Sequence, residues 1–350
     1  MFESEEFRAE IKDVLLSFRV TYNEKKMTII LPDETVEKSW TYDPGSQSME
    51  FINLEEPETE EDKIFIQELT ESSCTFIKDE TEYTYIPAPA EIDKEQFGEI
   101  SEYASFQGNP NGEVVVINTQ GGPLPYLDDT TLFGVMRGSD TLDMLYVNVH
   151  QFQTKNPSLF EEKDISFEDA KNYDNQSIDD LMKVISYFKE NTKKKIYVLG
   201  ISFGAFMVQD LIARHGIDDA DAYIAIVGRL DIDTKFWNGF SQGKNGEFKY
   251  KKNNKYKISL SKEKDFQGRN MNRLAAGLGH KRYTEELQSI DDLSKLTYIY
   301  GDVDDKVGGL SESEINFLKS KNANVIKISG ANHNMAISAG TDKLKQILGQ

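Results

Sequence analysis

Hydrophobic and polar positions change rhythm once along the chain. From about Lys12 to Pro87 they alternate in short runs, SFRVTY, KMTIIL, SWTYD, MEFINL, IFIQEL, CTFI and EYTYI, separated by turn-rich or acidic pieces such as LPDE, DPGSQS and EEPETEED. Alternation with a period of two marks strands with one buried face, so residues 1–90 are predicted to form a small antiparallel β module. IPAPAEIDKEQ (Ile86–Gln96), with two prolines and a charged run, is the predicted linker. Beyond it the apolar runs become continuous: EVVVINT (Glu113–Thr119), MLYVNV (Met144–Val149), KIYVLG (Lys195–Gly200), AYIAIV (Ala222–Val227), LTYIYG (Leu296–Gly301) and NVIKIS (Asn324–Ser329). Helical stretches such as SIDDLMKVISYFKEN, FGAFMVQDLIARH, SESEINFLKSK and TDKLKQILGQ lie among them. Strands that are apolar throughout are buried on both faces, which predicts an α/β domain over 91–350, a doubly wound and mostly parallel sheet covered by helices. In such sheets the functional site lies beyond the carboxyl ends of the strands.

Composition narrows the function classes. Of 350 residues, 38% are hydrophobic and 11% aromatic, enough for a packed core. The net charge of -20 is concentrated at one end: residues 1–100 hold 26 Asp and Glu against 9 Lys and Arg. That acidic field argues against nucleic-acid binding, which needs a basic face for phosphate. The lone Cys74 excludes an intrachain disulfide and a cysteine metal cage, and its setting ESSCTFI predicts a buried strand residue. There is no His-Glu-x-x-His run and no phosphate-binding glycine loop, so neither metal nor organic cofactor is expected. No apolar run approaches the ~18 residues of a membrane span. The opening MFESEEFRAE is acidic where a secretory signal is basic and then apolar, so the expectation is a cytoplasmic protein, with an exported or envelope-associated form, its signal removed, as the alternative. The sequence carries no mark of oligomeric state.

Candidate chemistry begins at Gly200-Ile201-Ser202-Phe203-Gly204, which directly follows the strand KIYVLG and opens an amphipathic helix with Phe206, Met207, Leu211 and Ile212 at inward spacing. A serine at a sharp strand-to-helix turn is held in a strained conformation, and glycines two positions to either side avoid clashes with neighbouring backbone. The same turn puts the Phe203 N–H at a helix N-terminus, where negative charge is favoured. A capping serine in an ordinary turn would look similar, so the partners decide. Four histidines are available. His150 follows MLYVNV, His215 ends the helix after Ser202, His280 lies in GLGHKRY, and His333 lies in ISGANHNMA beyond the last strand, where a returning loop reaches back over the sheet. Candidate acids are Asp302, Asp304 and Asp305 in YGDVDDKVGG, with Asp231 and Asp233 after the preceding strand.

GISFG, GDVDDKV and GANHN, in this order, resemble the nucleophile, acid and histidine motifs of α/β-hydrolases, over about residues 97–350. The resemblance implies Ser202 as nucleophile, Asp304 as orienting acid and His333 as general base, in a serine hydrolase that cleaves a carboxylic ester, thioester or amide. QGGPLPY (Gln120–Tyr126) is similar to the His-Gly-Gly-Pro loop of prolyl-aminopeptidase-like members, with Gln120 in place of histidine. It implies oxyanion donors at Gly121, Gly122 and Phe203, and a peptidase as the alternative activity. His150, Tyr126 and Trp237 are candidate contacts for a small-molecule or peptide substrate. The stretch at about 230–292 exceeds an ordinary connection and sits where these enzymes carry a cap. Between Lys235 and Lys264 it holds nine Lys against two Glu, interleaved with Phe236, Trp237, Phe240, Phe248, Tyr250 and Tyr256. It reads either as a lid lining an acyl pocket or as a solvated hairpin with inward aromatics. The rhythm of residues 1–90 is similar to lipocalin-like β domains of bacterial surface and envelope proteins, which leaves open a non-catalytic binding or scaffold protein that uses the β module.

Overall fold

The computed structural model describes residues 92–126, 144–251 and 255–348, and the backbone of seven strands between Arg19 and Tyr85. The chain divides into two units, Met1–Pro89 and Ala90–Gln350. In the first, β1 (Arg19–Asn23), β2 (Lys26–Ile30), β3 (Thr35–Asp43), β4 (Ser48–Asn53), β5 (Asp62–Leu69), β6 (Cys74–Lys78) and β7 (Thr81–Tyr85) pair antiparallel in chain order. Each alternating segment supplies one strand. The Cys74 side chain and residues 86–91 of the expected linker lie outside the described residues.

In the second unit β8 (Ala104–Gly108), β9 (Val114–Thr119), β10 (Met144–Val149), β11 (Lys195–Ile201), β12 (Ala222–Ile226), β15 (Leu296–Gly301) and β16 (Asn324–Ile328) form one sheet in the order β16-β15-β12-β11-β9-β10-β8. All neighbours are parallel except β8, which runs antiparallel to β10 at the edge. This is the strand order of the α/β-hydrolase fold. Successive residues of β9 enter opposite cores: Val115 and Ile117 pack on one face, Val116 on the other, each at most 1% exposed. Burial on both sides explains why the strands read as unbroken apolar runs.

The main helices are α1 (Phe167–Asn191), α2 (Phe203–His215), α3 (Thr234–Ser241), α4 (Phe266–Gly279), α5 (Glu312–Ser320) and α6 (His333–Ile347). A reciprocal capping box between Ser166 and Asp169 starts α1, and its Ile178, Leu181, Ile185 and Phe188 form the buried stripe. Two elements depart from the expectation. The tail of the predicted linker is a 3₁₀ segment, Lys94–Glu102, capped by Asp93 and burying Phe97 and Ile100. The last helix begins at His333, earlier than TDKLKQILGQ indicates, and runs through Gly340, where a side chain would press on Ile226.

Between β12 and β15 the insertion comprises α3, the hairpin β13 (Lys244–Tyr250) and β14 (Tyr256–Lys262), and α4. The described lysines of Lys235–Lys264 are exposed, while Phe236, Trp237 and Phe248 are at most 2% exposed. Phe240 and Tyr250 are half-buried and Tyr256 is 40% exposed, while Trp237, expected as a substrate contact, packs inward. Its ring sits edge-on to Phe206 of α2 and against Phe236 and Phe240, with Gly279 of α4 giving it room. Burying those rings stabilises far more than leaving them at a surface, because each removes a large apolar area from water.

Buried charge lies where the insertion and the loop before it meet the helices beside the sheet. The Arg229 guanidinium, 4% exposed, stands 3.3 Å from Glu314, which is 1% exposed and also accepts from the N–H groups of Leu230, Asp231 and Ser311. Nearby, Asp174 of α1 lies against Gly277 of α4, and Asp210 of α2 pairs with Lys281 and stands 2.6 Å from Arg214. Burial, and then the charge of Asp210, push the Asp174 carboxyl well above the ordinary carboxylate range.

Candidate active site

Ser202 is the hinge between β11 and α2. Its backbone lies at φ 55 and ψ -114, a conformation that costs a residue with a side chain about 1–3 kcal/mol and persists only when its surroundings impose it. The surroundings here are backbone. A Cβ on Gly200 would lie 2.1 Å from the Gly204 oxygen, and one on Gly204 would lie 2.0 Å from the Thr119 oxygen. Both positions therefore demand glycine, and the two contacts press the first turn of α2 onto β11 and β9. The Ser202 N–H donates to the Ile226 carbonyl of β12 at 2.8 Å, which fixes the turn from the other side.

His333 is the first residue of α6 rather than part of a loop. Asn332 caps that helix by accepting from the Met335 N–H at 3.0 Å, and the His333 N–H donates to Asp305 Oδ1 at 3.2 Å. The ring is thereby aimed at two partners. Nε2 is 2.9 Å from Ser202 Oγ, and Nδ1 is 2.7 Å from Asp304 Oδ2. Asp304 is 1% exposed, and its other oxygen accepts from the N–H groups of Lys306 and Val307, both at 2.9 Å. A carboxylate offers only acceptors, so the proton on Nδ1 faces Asp304 and the lone pair on Nε2 faces the Ser202 hydroxyl.

The rival acids are engaged elsewhere. Asp302 accepts from the Gly330 N–H and pairs with Lys327 at 2.9 Å. Asp231 accepts from Thr284 and Arg282, and Asp233 caps α3 through the Lys235 N–H. Of the other histidines, His215 closes α2 and His280 leans on Phe167. His150 stands half-buried at the end of β10, its N–H donating to the Tyr103 carbonyl at 2.7 Å.

The loop after β9 lies beside Ser202. A Cβ on Gly121 would come within 3.4 Å of Ser202 Cβ, and Gly122 has φ 62. Gln120 spans the loop, its Nε2 donating to the Tyr126 carbonyl at 2.9 Å, while the Tyr126 ring is 49% exposed. Phe203 contributes the N–H at the start of α2. Sequence reasoning missed Gln151, which is fully buried and donates from Nε2 to the Gln120 carbonyl at 3.0 Å and to Thr119 Oγ1 at 3.2 Å. No motif marks it.

The insertion meets the acid loop directly. Phe248 of β13 donates its N–H to the Asp305 carbonyl at 2.8 Å, and the Gly309 N–H donates to the Tyr250 hydroxyl at 2.8 Å. The turn carrying Asp304 is thus bracketed by the hairpin on one side and α6 on the other. Taken as chemistry, a hydroxyl is hydrogen-bonded to an imidazole whose far nitrogen is hydrogen-bonded to a buried carboxylate, an arrangement able to draw a proton from the hydroxyl oxygen. Among the described residues no group of three or more His, Cys, Asp or Glu is arranged to hold a metal, and no helix is long and apolar enough to cross a membrane.

No family model matches the chain, and no curated protein matches it. Among solved structures it is similar to Est1E from Butyrivibrio proteoclasticus, at 14% identity and a TM-score of 0.44, covering 79% of this chain and 97% of that one. It is similar to TT1662 from Thermus thermophilus at 11% identity and a TM-score of 0.43, covering 71% and 94%. A thioesterase domain from the curacin biosynthetic pathway shows 13% identity and a TM-score of 0.44, covering 81% and 98%. The strand order and the Ser202 turn identify the fold.

Proposed function

We propose that the chain is a serine hydrolase that cleaves a carboxylic ester, thioester or amide through an acyl-enzyme. One observation carries the reading: a strained serine at the strand-to-helix turn lies within hydrogen-bond reach of His333, whose other nitrogen is bonded to the buried Asp304. Ser202 Oγ attacks the carbonyl carbon while His333 Nε2 takes its proton. The carbonyl oxygen becomes an oxyanion, held by the Phe203 N–H and by N–H groups of the Gly121–Gly122 stretch. Collapse of the intermediate breaks the bond to the leaving oxygen, sulfur or nitrogen, which receives the proton from His333. Water, deprotonated by the same imidazole, then attacks the Ser202 ester, releasing the acid and restoring the hydroxyl. Asp304 keeps the Nδ1 proton in place and stabilises the imidazolium formed in each half.

The test is covalent. A fluorophosphonate should label Ser202, as mapped by peptide mass spectrometry. Ser202→Ala should abolish labelling, leave the fold intact and lower hydrolysis of a p-nitrophenyl ester by about six orders of magnitude. An adduct on another residue, or an unlabelled folded protein, would refute the reading. The peptidase alternative is carried by the Gln120–Pro123 resemblance alone, and faster cleavage of a proline anilide than of short-chain esters would favour it.

A further inference from the structure

The Gln120 carbonyl and the Gly121 N–H belong to one peptide unit. Such a unit is planar, so whatever holds the oxygen also sets the direction of the N–H. Here the oxygen is held from behind by Gln151 Nε2 at 3.0 Å. The same amide donates to Thr119 Oγ1 at 3.2 Å, and Thr119 Oγ1 in turn donates to Met207 Sδ on α2 at 2.9 Å. The Gln120 carbonyl can only accept, so the NH₂ end of the Gln151 amide faces the loop, and Gln151 Oε1 accepts from Gln153 Nε2 at 2.5 Å. Gln151, Gln153, Thr119 and Gln120 are all at most 3% exposed. A buried polar chain of this kind has few alternative arrangements, because each rotated amide would leave donors or acceptors unpaired.

We infer that Gln151 is a positioning residue for the proposed reaction: it orients the Gln120–Gly121 peptide, and through it the loop N–H donors, against the nucleophile helix. The inference rests on the reading of Ser202 as nucleophile. Its physical content is that the loop is steered from two ends. Gln120 Nε2 closes the loop onto Tyr126, and Gln151 fixes the first peptide. Between them, the glycine at 121 and the positive φ at Gly122 give the backbone little stiffness of its own. Thr119 Oγ1 and Met207 Sδ join the network to α2, whose first N–H is the other donor, so both halves of the oxyanion site share one buried scaffold. Gln151 touches no reacting atom and acts only through the loop.

The experiment uses the full chain and a p-nitrophenyl ester, with fluorophosphonate labelling of the wild-type protein as reference. Gln151→Met keeps the volume and removes the donors. It should lower kcat by about 10²–10³, the cost of a lost oxyanion donor, with KM nearly unchanged. The pH profile should keep its shape, because Ser202, His333 and Asp304 are untouched. Gln153→Met, which frees the Gln151 amide to turn, should lower kcat in the same direction and by less, and it carries the test if Gln151→Met does not fold. A folded Gln151→Met protein with wild-type kcat, or one whose loss lies in KM or in a shifted pH profile, overturns the positioning role while the hydrolase reading stands. A wild-type protein that is neither labelled nor active overturns both.

Discussion

Replacing Asp304 by asparagine separates orientation of the imidazole from every other contribution of that side chain. Asp304 Oδ1 accepts two backbone N–H groups at 2.9 Å, and Oδ2 accepts from His333 Nδ1 at 2.7 Å. An asparagine must put its carbonyl oxygen on the two N–H groups. The reverse placement would set an amide donor against two donors and strand them, at about 1–3 kcal/mol each. Its NH₂ then faces Nδ1, which becomes the acceptor, and the ring proton moves to Nε2, where it points at Ser202 Oγ. The serine loses its base, and the expected fall in turnover is about four orders of magnitude, or ~5.5 kcal/mol at ~1.4 kcal/mol per tenfold. Stability should hardly move, since three hydrogen bonds are kept with one reversed. The assay pairs ester turnover with thermal unfolding. Turnover within about tenfold of wild type in a folded protein would refute the argument. So would an equal loss from Asp302→Asn or Asp305→Asn.

Three further outcomes follow from packing and charge. Gly204→Ala should destabilise by about 1–3 kcal/mol and reduce turnover, because its Cβ would lie 2.0 Å from the Thr119 oxygen and backbone has to move; an unchanged melting temperature contradicts the close approach. Asp174 has a folded pKa above its ordinary 3.8, so the folded state holds a proton that the unfolded state releases, and stability falls as pH rises from about 4 towards that raised value. Asp174→Asn should flatten the dependence and melt higher than wild type at pH 7, and parallel pH–stability curves would exclude the effect. Arg229→Met leaves Glu314 buried without its guanidinium and should cost about 3–5 kcal/mol, measured by urea unfolding, and a neutral result would show that the backbone donors alone satisfy that carboxylate.

Much of this arrangement was legible in the sequence because it rests on local rules. Strands buried on both faces appear as unbroken apolar runs, and the Ser202 turn is marked by two glycines whose absent side chains make room for backbone. What escaped depends on partners distant in the chain. The edge strand ASFQG is short and polar, and only pairing with β10 makes it a strand. The asparagine before His333 caps a helix, but the neighbouring glycine and alanine read as a turn. The hairpin's apolar face, with Phe248, Tyr250, Tyr256, Ile258 and Leu260, reads from alternation, but what covers it does not. Phe248 and Ile258 are opposite each other and buried because Arg229, Gly308 and the Asp305 carbonyl lie behind them. Gln151 is invisible for a related reason: a glutamine gains meaning only from the carbonyl it holds.

The place of His333 on the first turn of α6 ties the proposed reaction to the least stable part of a helix. Terminal turns open locally at free energies well below that of global unfolding, and here a single fraying event would carry the imidazole away from Ser202 and Asp304 while leaving the sheet whole. The Asn332 cap, the bond from the His333 N–H to Asp305 and the Val303 N–H on the Ala331 carbonyl all brace that turn. Activity followed on warming is therefore a thermometer for one helical turn, and it should fade before the bulk signal of the sheet begins to change.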